Sequence, residues 1–409
     1  MLGNGVVFLG KSTRTTPAVS IHLAIRAGSI ADPADAPGAS WLLSRVIDRG
    51  TAARSAADIA AELDNRGITL SVSVTRHSLS ITCTCLSEDF ESVLALLADI
   101  LIEPSFPDDE LARRKREVVT SIRQDEDNPA VRAAEGLMAL LYSDGHPYGR
   151  PTKGTIDVVE GMTRERLVQL HADRFAPSEL TAVVIGDVDV QHAADVTERV
   201  FGDWRRPVPS PIVLSSPTPA SDRQRLVIPM MNKSQADIAY GFTTIKRGDA
   251  AYEALRLMNN VLGQYSMGGR LGDSIRERQG MAYYVSSGID PNVVEGPLAI
   301  RAGVGSDNVD RAVASIDEEL DRLVRDGVTQ KELDESRQYL IGSMPRTLET
   351  NAAIAVFLQT AEFFGLGLDH DERIPTRLRA VTLDDVNVVA RRVLDPSCAT
   401  VVIAGPYAG

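Results

Sequence analysis

The chain has 409 residues, with 56 acidic and 43 basic side chains, a net charge of −13, and 44% apolar and 24% charged residues. These proportions exclude a disordered or fibrous protein. The acidic balance argues against a nucleic-acid partner, which needs clustered Lys and Arg, but leaves peptides and basic segments open. At roughly 100–200 residues per domain, the length allows two to four domains. No apolar run of about 18 residues occurs, so no membrane span is expected. Met1 to Phe8 reads as a first strand rather than a signal peptide. The expectation is a soluble chain of the cytoplasm or periplasm.

In chain order, Ser71–Val74 and Ser78–Cys83 alternate in polarity and predict half-buried strands. Cys83 and Cys85 share one face of the second, where bridging to each other would be strained. They read as buried apolar residues, with a redox role as the alternative. Ser87 is a candidate N-cap for a helix carrying Phe90, Val93, Leu94, Leu97, Ile100 and Leu101 at helical spacing. Gln124 to Asn128 form an acidic run closing a helix before Pro129. A solvated helix end or a preference for basic peptide residues would explain it. His146-Pro147-Tyr148-Gly149-Arg150 reads as an ordered turn with a hydrogen-bonding histidine.

The chain then repeats itself. A helix opening at Thr163 and ending near Pro177-Ser178 precedes a strand, Leu180–Gly186. At one fixed offset, Thr382, Pro396, Ser397, Thr400, Val402 and Gly405 repeat Thr163, Pro177, Ser178, Thr181, Val183 and Gly186. The same offset carries Ser87 onto Ser306, before a second helical pattern at Val309, Val313, Ile316, Leu320 and Leu323. Two homologous domains are expected, 1–206 and 225–409, joined by a Pro/Ser-rich linker, 207–224. Interleaved strands and helices make each an α+β layer, a mainly antiparallel sheet packed against helices.

Several local runs share a pattern: Ala27-Gly28-Ser29, Asp32-Pro33, Pro37-Gly38-Ala39-Ser40, Arg49-Gly50-Thr51, His146 to Pro151 with Gly154-Thr155, and Arg276 to Tyr283. Together these resemble the insulinase/pitrilysin-type zinc metallopeptidases, specifically two-domain subunits similar to those of mitochondrial processing peptidase. The resemblance covers nearly the whole chain. It implies an inverted zinc motif, H-x-x-E-H, on a helix of the first domain. Two His at i and i+4 would grip the metal, the Glu between them would act as base, and a Glu farther along would complete the ligands. Here the first His position is Trp41, the base position Ser44, the second His position Arg45, and the distant Glu position Ser121.

Trp has no lone pair for zinc, Ser is a poor base at neutral pH, and Arg stays cationic. The six histidines, His22, His77, His146, His171, His192 and His370, include no two within four residues of each other. No other register restores the motif; a site scattered over distant residues is the remaining alternative. No catalytic residue and no metal or cofactor is therefore expected in this chain.

The resemblance also implies that an Arg and a Tyr of the second domain contact substrate backbone. They map to Arg276 and Tyr283. A helix-surface Arg and a packed strand Tyr are the plainer readings. Gly263, Tyr265, Gly268 and Gly269 precede them as a cleft loop or a simple connection. The implied function is a substrate-positioning subunit of a heterodimeric peptidase. A partner bearing H-x-x-E-H would supply zinc, and peptides or unfolded segments would be the substrate. The alternative is an inactive scaffold or peptide-binding protein, as a homodimer or within a larger complex.

Overall fold

The computed structural model describes residues 1–143, 145–264 and 268–409; Tyr265 lies outside them. The first half of the chain runs β1 (Val7–Ser12), β2 (Ala18–Ile25), α1 (Ala39–Val46), α2 (Ala56–Asp64), β3 (Thr69–Val74), β4 (Leu79–Leu86), α3 (Phe90–Ile102) and α4 (Asp108–Glu126). It continues with α5 (Pro129–Leu141), α6 (Ile156–Gly161), α7 (Arg164–Arg174), β5 (Leu180–Gly186) and α8 (Val190–Phe201). The second half runs β6 (Gln224–Pro229), β7 (Ala236–Thr243), α9 (Tyr252–Gly263), α10 (Gly269–Leu271), a π-helical segment Gly272–Arg278, β8 (Ala282–Ile289) and β9 (Pro297–Val304). There follow α11 (Val309–Asp326), α12 (Gln330–Thr347), α13 (Asn351–Phe363), α14 (His370–Ala380), α15 (Leu383–Val393) and β10 (Thr400–Gly405).

The two sheets have one topology. Their strand orders are β1-β5-β2-β4-β3 and β6-β10-β7-β9-β8. In each, the first strand pairs parallel with the last, and the remaining pairings are antiparallel. The mainly antiparallel α+β layers expected from the alternating patterns are present.

The residues that repeat do the same work twice. The Thr163 hydroxyl accepts from the Arg166 N–H at the start of α7, and Thr382 accepts from Asp385 at the start of α15. Each satisfies a donor that the first helical turn leaves unpaired. Gly186 and Gly405 close the last strands at φ 147° and 139°. A Cβ at Gly186 would stand 2.2 Å from the Ala18 carbonyl oxygen, and one at Gly405 2.6 Å from Ala236 Cα. Only glycine fits both the backbone angle and the space.

Two expectations shift locally. The first strand begins at Val7, because a turn with Gly5 at φ 101° occupies the preceding residues. Ser87 opens a 3-10 turn, Ser87–Asp89, and makes no side-chain cap to α3; its hydroxyl donates to Asp187 at 3.4 Å. The local turn, rather than a capped helix start, absorbs the change of direction.

The compact units are interleaved in sequence rather than contiguous. One comprises Met1–Ile122, Pro151–Val213 and Pro345–Leu368; the other comprises Arg123–Arg150, Leu214–Met344 and Asp369–Gly409. The expected ranges 1–206 and 225–409 thus each give up one helix. Strand β5 is buried along its whole length, so both faces of its sheet need cover. On one face Leu9, Val183 and Ile185 pack with Ala355 of α13. In the second unit α5 lies on β7 and β10, with Gly136 leaving room for Val402.

Candidate functional site

The first unit brings the four motif positions together. Helix α1 starts at Gly38, with φ 92°. The Asp32 carboxylate accepts from the Gly38 and Ser40 N–H groups, each at 2.7 Å, and so ties down the helix entry. Gly38 also permits a close backbone approach. A Cβ there would stand 2.4 Å from the Lys153 carbonyl oxygen, and one at Gly154 2.0 Å from that of Pro37. This contact sets Lys153 beside α1.

Trp41, Ser44 and Arg45 then line a cleft of about 380 Å³ with Ser121 of α4. Leu70, Ser71 and Val72 of β3 border it. The Ser44 hydroxyl donates back to the Trp41 carbonyl at 2.7 Å, so it is spent on the helix. The Arg45 guanidinium lies over the Trp41 ring, 4.5 Å from its centre. The Lys153 ammonium is 5.8 Å from the same ring and donates to Ser121 Oγ at 2.7 Å. The resemblance implied zinc at these positions, and the residues present do not fit it. An indole N–H is a donor only, and two fixed cations would repel a divalent ion.

The histidines are engaged elsewhere or sealed off. His146 Nδ1 accepts from the Tyr148 N–H at 3.1 Å, which leaves the proton on Nε2 to donate to the Ser215 carbonyl at 3.1 Å. His171 bonds the Leu101 carbonyl at 2.9 Å; burial dominates, pushing its pKa down to about 4. His22 is buried on β2 with neither ring nitrogen hydrogen-bonded, and burial lowers it to about 4 as well. Cys83 and Cys85 are buried free thiols, pushed up to about 12 chiefly by burial. At that value neither is a ready nucleophile near neutral pH.

In the second unit, Arg276 sits on the π-helical segment, its guanidinium 3.6 Å from Glu277. Tyr283 lies at a β-bulge between Ala282 and Tyr284 of β8 and is 84% exposed. Between them the chain reverses through Gly280 at φ 60°, with the Gly280 and Met281 N–H groups donating to the Arg276 and Ile275 carbonyls. The π segment packs on β8. Both residues therefore belong to one corner of this unit. Tyr283 is a bulge residue facing solvent, in contrast to a packed strand tyrosine.

Gly263 (φ 158°) and Gly269 (φ 80°) approach so closely that a Cβ on Gly269 would stand 2.7 Å from Gly263 Cα. Gly268 and Gly269 border a second cleft with Arg270, Glu332 and Tyr339. There Arg270 grips Glu332 through two hydrogen bonds of 2.7 and 2.8 Å. Burial pushes the Glu332 carboxyl up, but bonds from Arg270 and Thr329 outweigh it and hold the group at about 2. Sequence reasoning missed Lys153 and the Arg270–Glu332 pair. Only Gly154, next to Lys153 in a recognised run, pointed that way.

Among the described residues no group of three or more His, Cys, Asp or Glu could hold a metal ion, and no helix is long and apolar enough to cross a membrane. A family model described as "Insulinase (Peptidase family M16)" matches residues 7–155, and one described as "Peptidase M16 inactive domain" matches 161–340. The chain is 28% identical over 402 residues to a Bacillus subtilis protein named "Uncharacterized zinc protease YmxG", covering 98% of this chain and 96% of that protein. It is 24% identical to a Helicobacter pylori protein named "Non-peptidase homolog YmxG", covering 90% of this chain and 84% of the other. A crystal structure described as a peptidase M16 inactive domain from Pseudomonas fluorescens superposes with a TM-score of 0.92 at 25% identity, covering 100% of this chain and 97% of that one. With both halves matched by models of one family and the duplicated sheets in place, the chain belongs to the insulinase-type M16 peptidase family, as a two-domain member without the zinc motif.

Proposed function

We propose that the chain is the non-catalytic, substrate-positioning subunit of a heterodimeric zinc metallopeptidase acting on peptides or unfolded segments. One observation carries this reading. The four motif positions converge on one cleft, yet Trp41, Ser44, Arg45 and Ser121 supply neither ligand nor base. The positions that would hold substrate backbone keep their chemistry. Arg276 offers a fork of donors to a carbonyl, and Tyr283 a solvent-facing hydroxyl. A partner chain bearing H-x-x-E-H would bring the zinc and the hydrolysis. Arg276 and Tyr283 would orient the peptide, a positioning contribution to rate.

The test is reconstitution. The purified chain is expected to bind no stoichiometric zinc and to cleave no peptide alone, and to support chelator-sensitive cleavage once mixed with such a partner. Arg276→Ala should lower the activity of the pair about 10-fold or more, as loss of a charge-assisted hydrogen bond does, and Tyr283→Phe less. Chelator-sensitive peptidase from this chain alone would overturn the reading; unchanged activity in both variants would remove the two residues from it. The name of the Helicobacter pylori relative, a non-peptidase homologue, supports a second reading: a scaffold or peptide-binding protein, as a homodimer or in a larger complex. Copurification from native extract separates the two, since only the first requires a partner with the zinc motif.

A further inference from the structure

The cleft of the first unit has an uneven charge balance. Arg45, Arg49 and Arg114 line it against Asp48 and Glu117. Two of the arginines are answered within it. Arg49 lies 3.1 Å from Asp48, and Arg114 lies 2.6 Å from Glu117, which also takes Arg113 at 3.3 Å. Arg45 is different. Its guanidinium rests on the Trp41 ring; the Asp48 carboxylate, already paired with Arg49, is also within its electrostatic reach, but among the described residues Arg45 makes no hydrogen bond or ion pair. A guanidinium has five donors in a rigid fork that fits a carboxylate bidentately, and stacking on a ring uses its face while leaving its edge. Lys153 adds a second positive charge beside the same ring, held there by the Gly38–Gly154 backbone contact.

The cleft also has a peptide-like wall. β3 is the terminal strand of its sheet, and its residues Leu70, Ser71 and Val72 border the cavity. A terminal strand keeps one row of backbone donors and acceptors for an incoming extended segment.

We propose that the cleft at the lost zinc position is a carboxylate-binding site for an extended peptide, with Arg45 as the anchoring group and Lys153 beside it. The polarity of the position is inverted: where the second histidine would hold a dication, Arg45 presents a cation that holds an anion. The inference stands on the first unit alone and does not need Arg276 or Tyr283 to act on substrate.

The experiment titrates the full chain with four short peptides built of Ser, Thr and Val, followed by calorimetry and by the summed fluorescence of Trp41 and Trp204, of which only Trp41 lines the cleft. Three are acetylated and amidated at their ends and carry one central Glu, Gln or Lys. The fourth is the Gln peptide with a free C-terminal carboxylate. The Glu peptide should bind about 10-fold more tightly than the Gln peptide, and the Lys peptide more weakly still, with the gap closing as salt is added. Arg45→Gln should erase the preference, Arg45→Lys should retain part of it, and Arg45→Glu should turn it towards Lys. Arg199→Gln, which removes a cation of the same unit outside the cleft, should leave it intact. If the free-carboxylate peptide gains as much as the Glu peptide, the site reads any carboxylate, chain ends included; if it does not, the site reads acidic side chains. Equal affinity for Glu, Gln and Lys peptides, no binding of any of them, or a Glu preference surviving Arg45→Gln in a variant that melts like the parent would overturn the proposal.

Discussion

Each unit carries a cleft between helices, α1 and α4 in the first and α9 and α12 in the second, and the two differ in how their arginines are paired. In the second, Arg270 is closed by Glu332 through a two-point hydrogen bond, and the pair is an internal strut. In the first, Arg45 stacks on an aromatic ring, and the nearby Asp48 carboxylate is paired with Arg49 rather than with it. The difference teaches that duplication copies the scaffold, whereas the charge inside each cleft is set residue by residue. A neutralised arginine holds structure; one stacked on a ring keeps donors to offer.

The largest expected effect breaks the first cleft at its backbone. Gly154→Ala places a Cβ 2.0 Å from the Pro37 carbonyl oxygen at φ 77°, so the segment carrying Lys153 has to move. A loss of about 3 kcal/mol or more in denaturant unfolding is expected, with the Trp41 environment altered. Next comes the contrast between the arginines. Glu332→Ala leaves Arg270, whose side chain is 12% exposed, without its partner and should cost about 2 kcal/mol. Arg45→Ala loses only a ring contact, worth about 0.5–1 kcal/mol. Equal costs for the two would contradict the distinction between strut and open donor.

Near neutral pH the smallest effect is that of pH itself, and it grows only on acidification. His22 and His171 stay neutral in the fold down to about 4, while the unfolded chain takes up protons near 6.5. Stability is untouched by these groups above pH ~6.5 and falls between ~6.5 and ~4, by at most ~1.4 kcal/mol per pH unit for each histidine. Glu332 acts lower: its folded pKa of about 2 lies below the unfolded value, so its contribution is complete above ~4.5 and drains as pH falls towards 2. His22→Leu should flatten the upper slope by one proton, and Glu332→Gln should leave that slope alone. Stability profiles of the two variants check both.

The duplication was legible because Thr163, Gly186 and their repeats meet local demands, a helix cap and a positive φ, that few residues satisfy. The absence of H-x-x-E-H was legible too, since His, Glu and Arg differ in charge and lone pairs wherever they sit. The helix exchange was not. α5 and α13 have apolar faces that would cover either sheet, and helical periodicity names a face without naming its partner. Lys153 was hidden for a similar reason. It joins the cleft through a contact between Gly38 and Gly154, far apart in the chain, and neither glycine announces which backbone it will touch.

The exchange of α5 and α13 has a consequence for biosynthesis. A ribosome delivers the chain from its first residue, and all five strands of the first sheet are out once Gly186 has emerged. The face carrying Leu9, Val183 and Ile185 still has no cover, because α13 begins only at Asn351. The second sheet waits longer, since β10 pairs with both β6 and β7. Neither unit can close before most of the polypeptide exists. At 5–20 residues per second, roughly ten to thirty seconds separate the first sheet from its missing helix. Through that interval the nascent chain holds a bare apolar sheet face, the kind of surface that chaperones cover and that aggregation exploits.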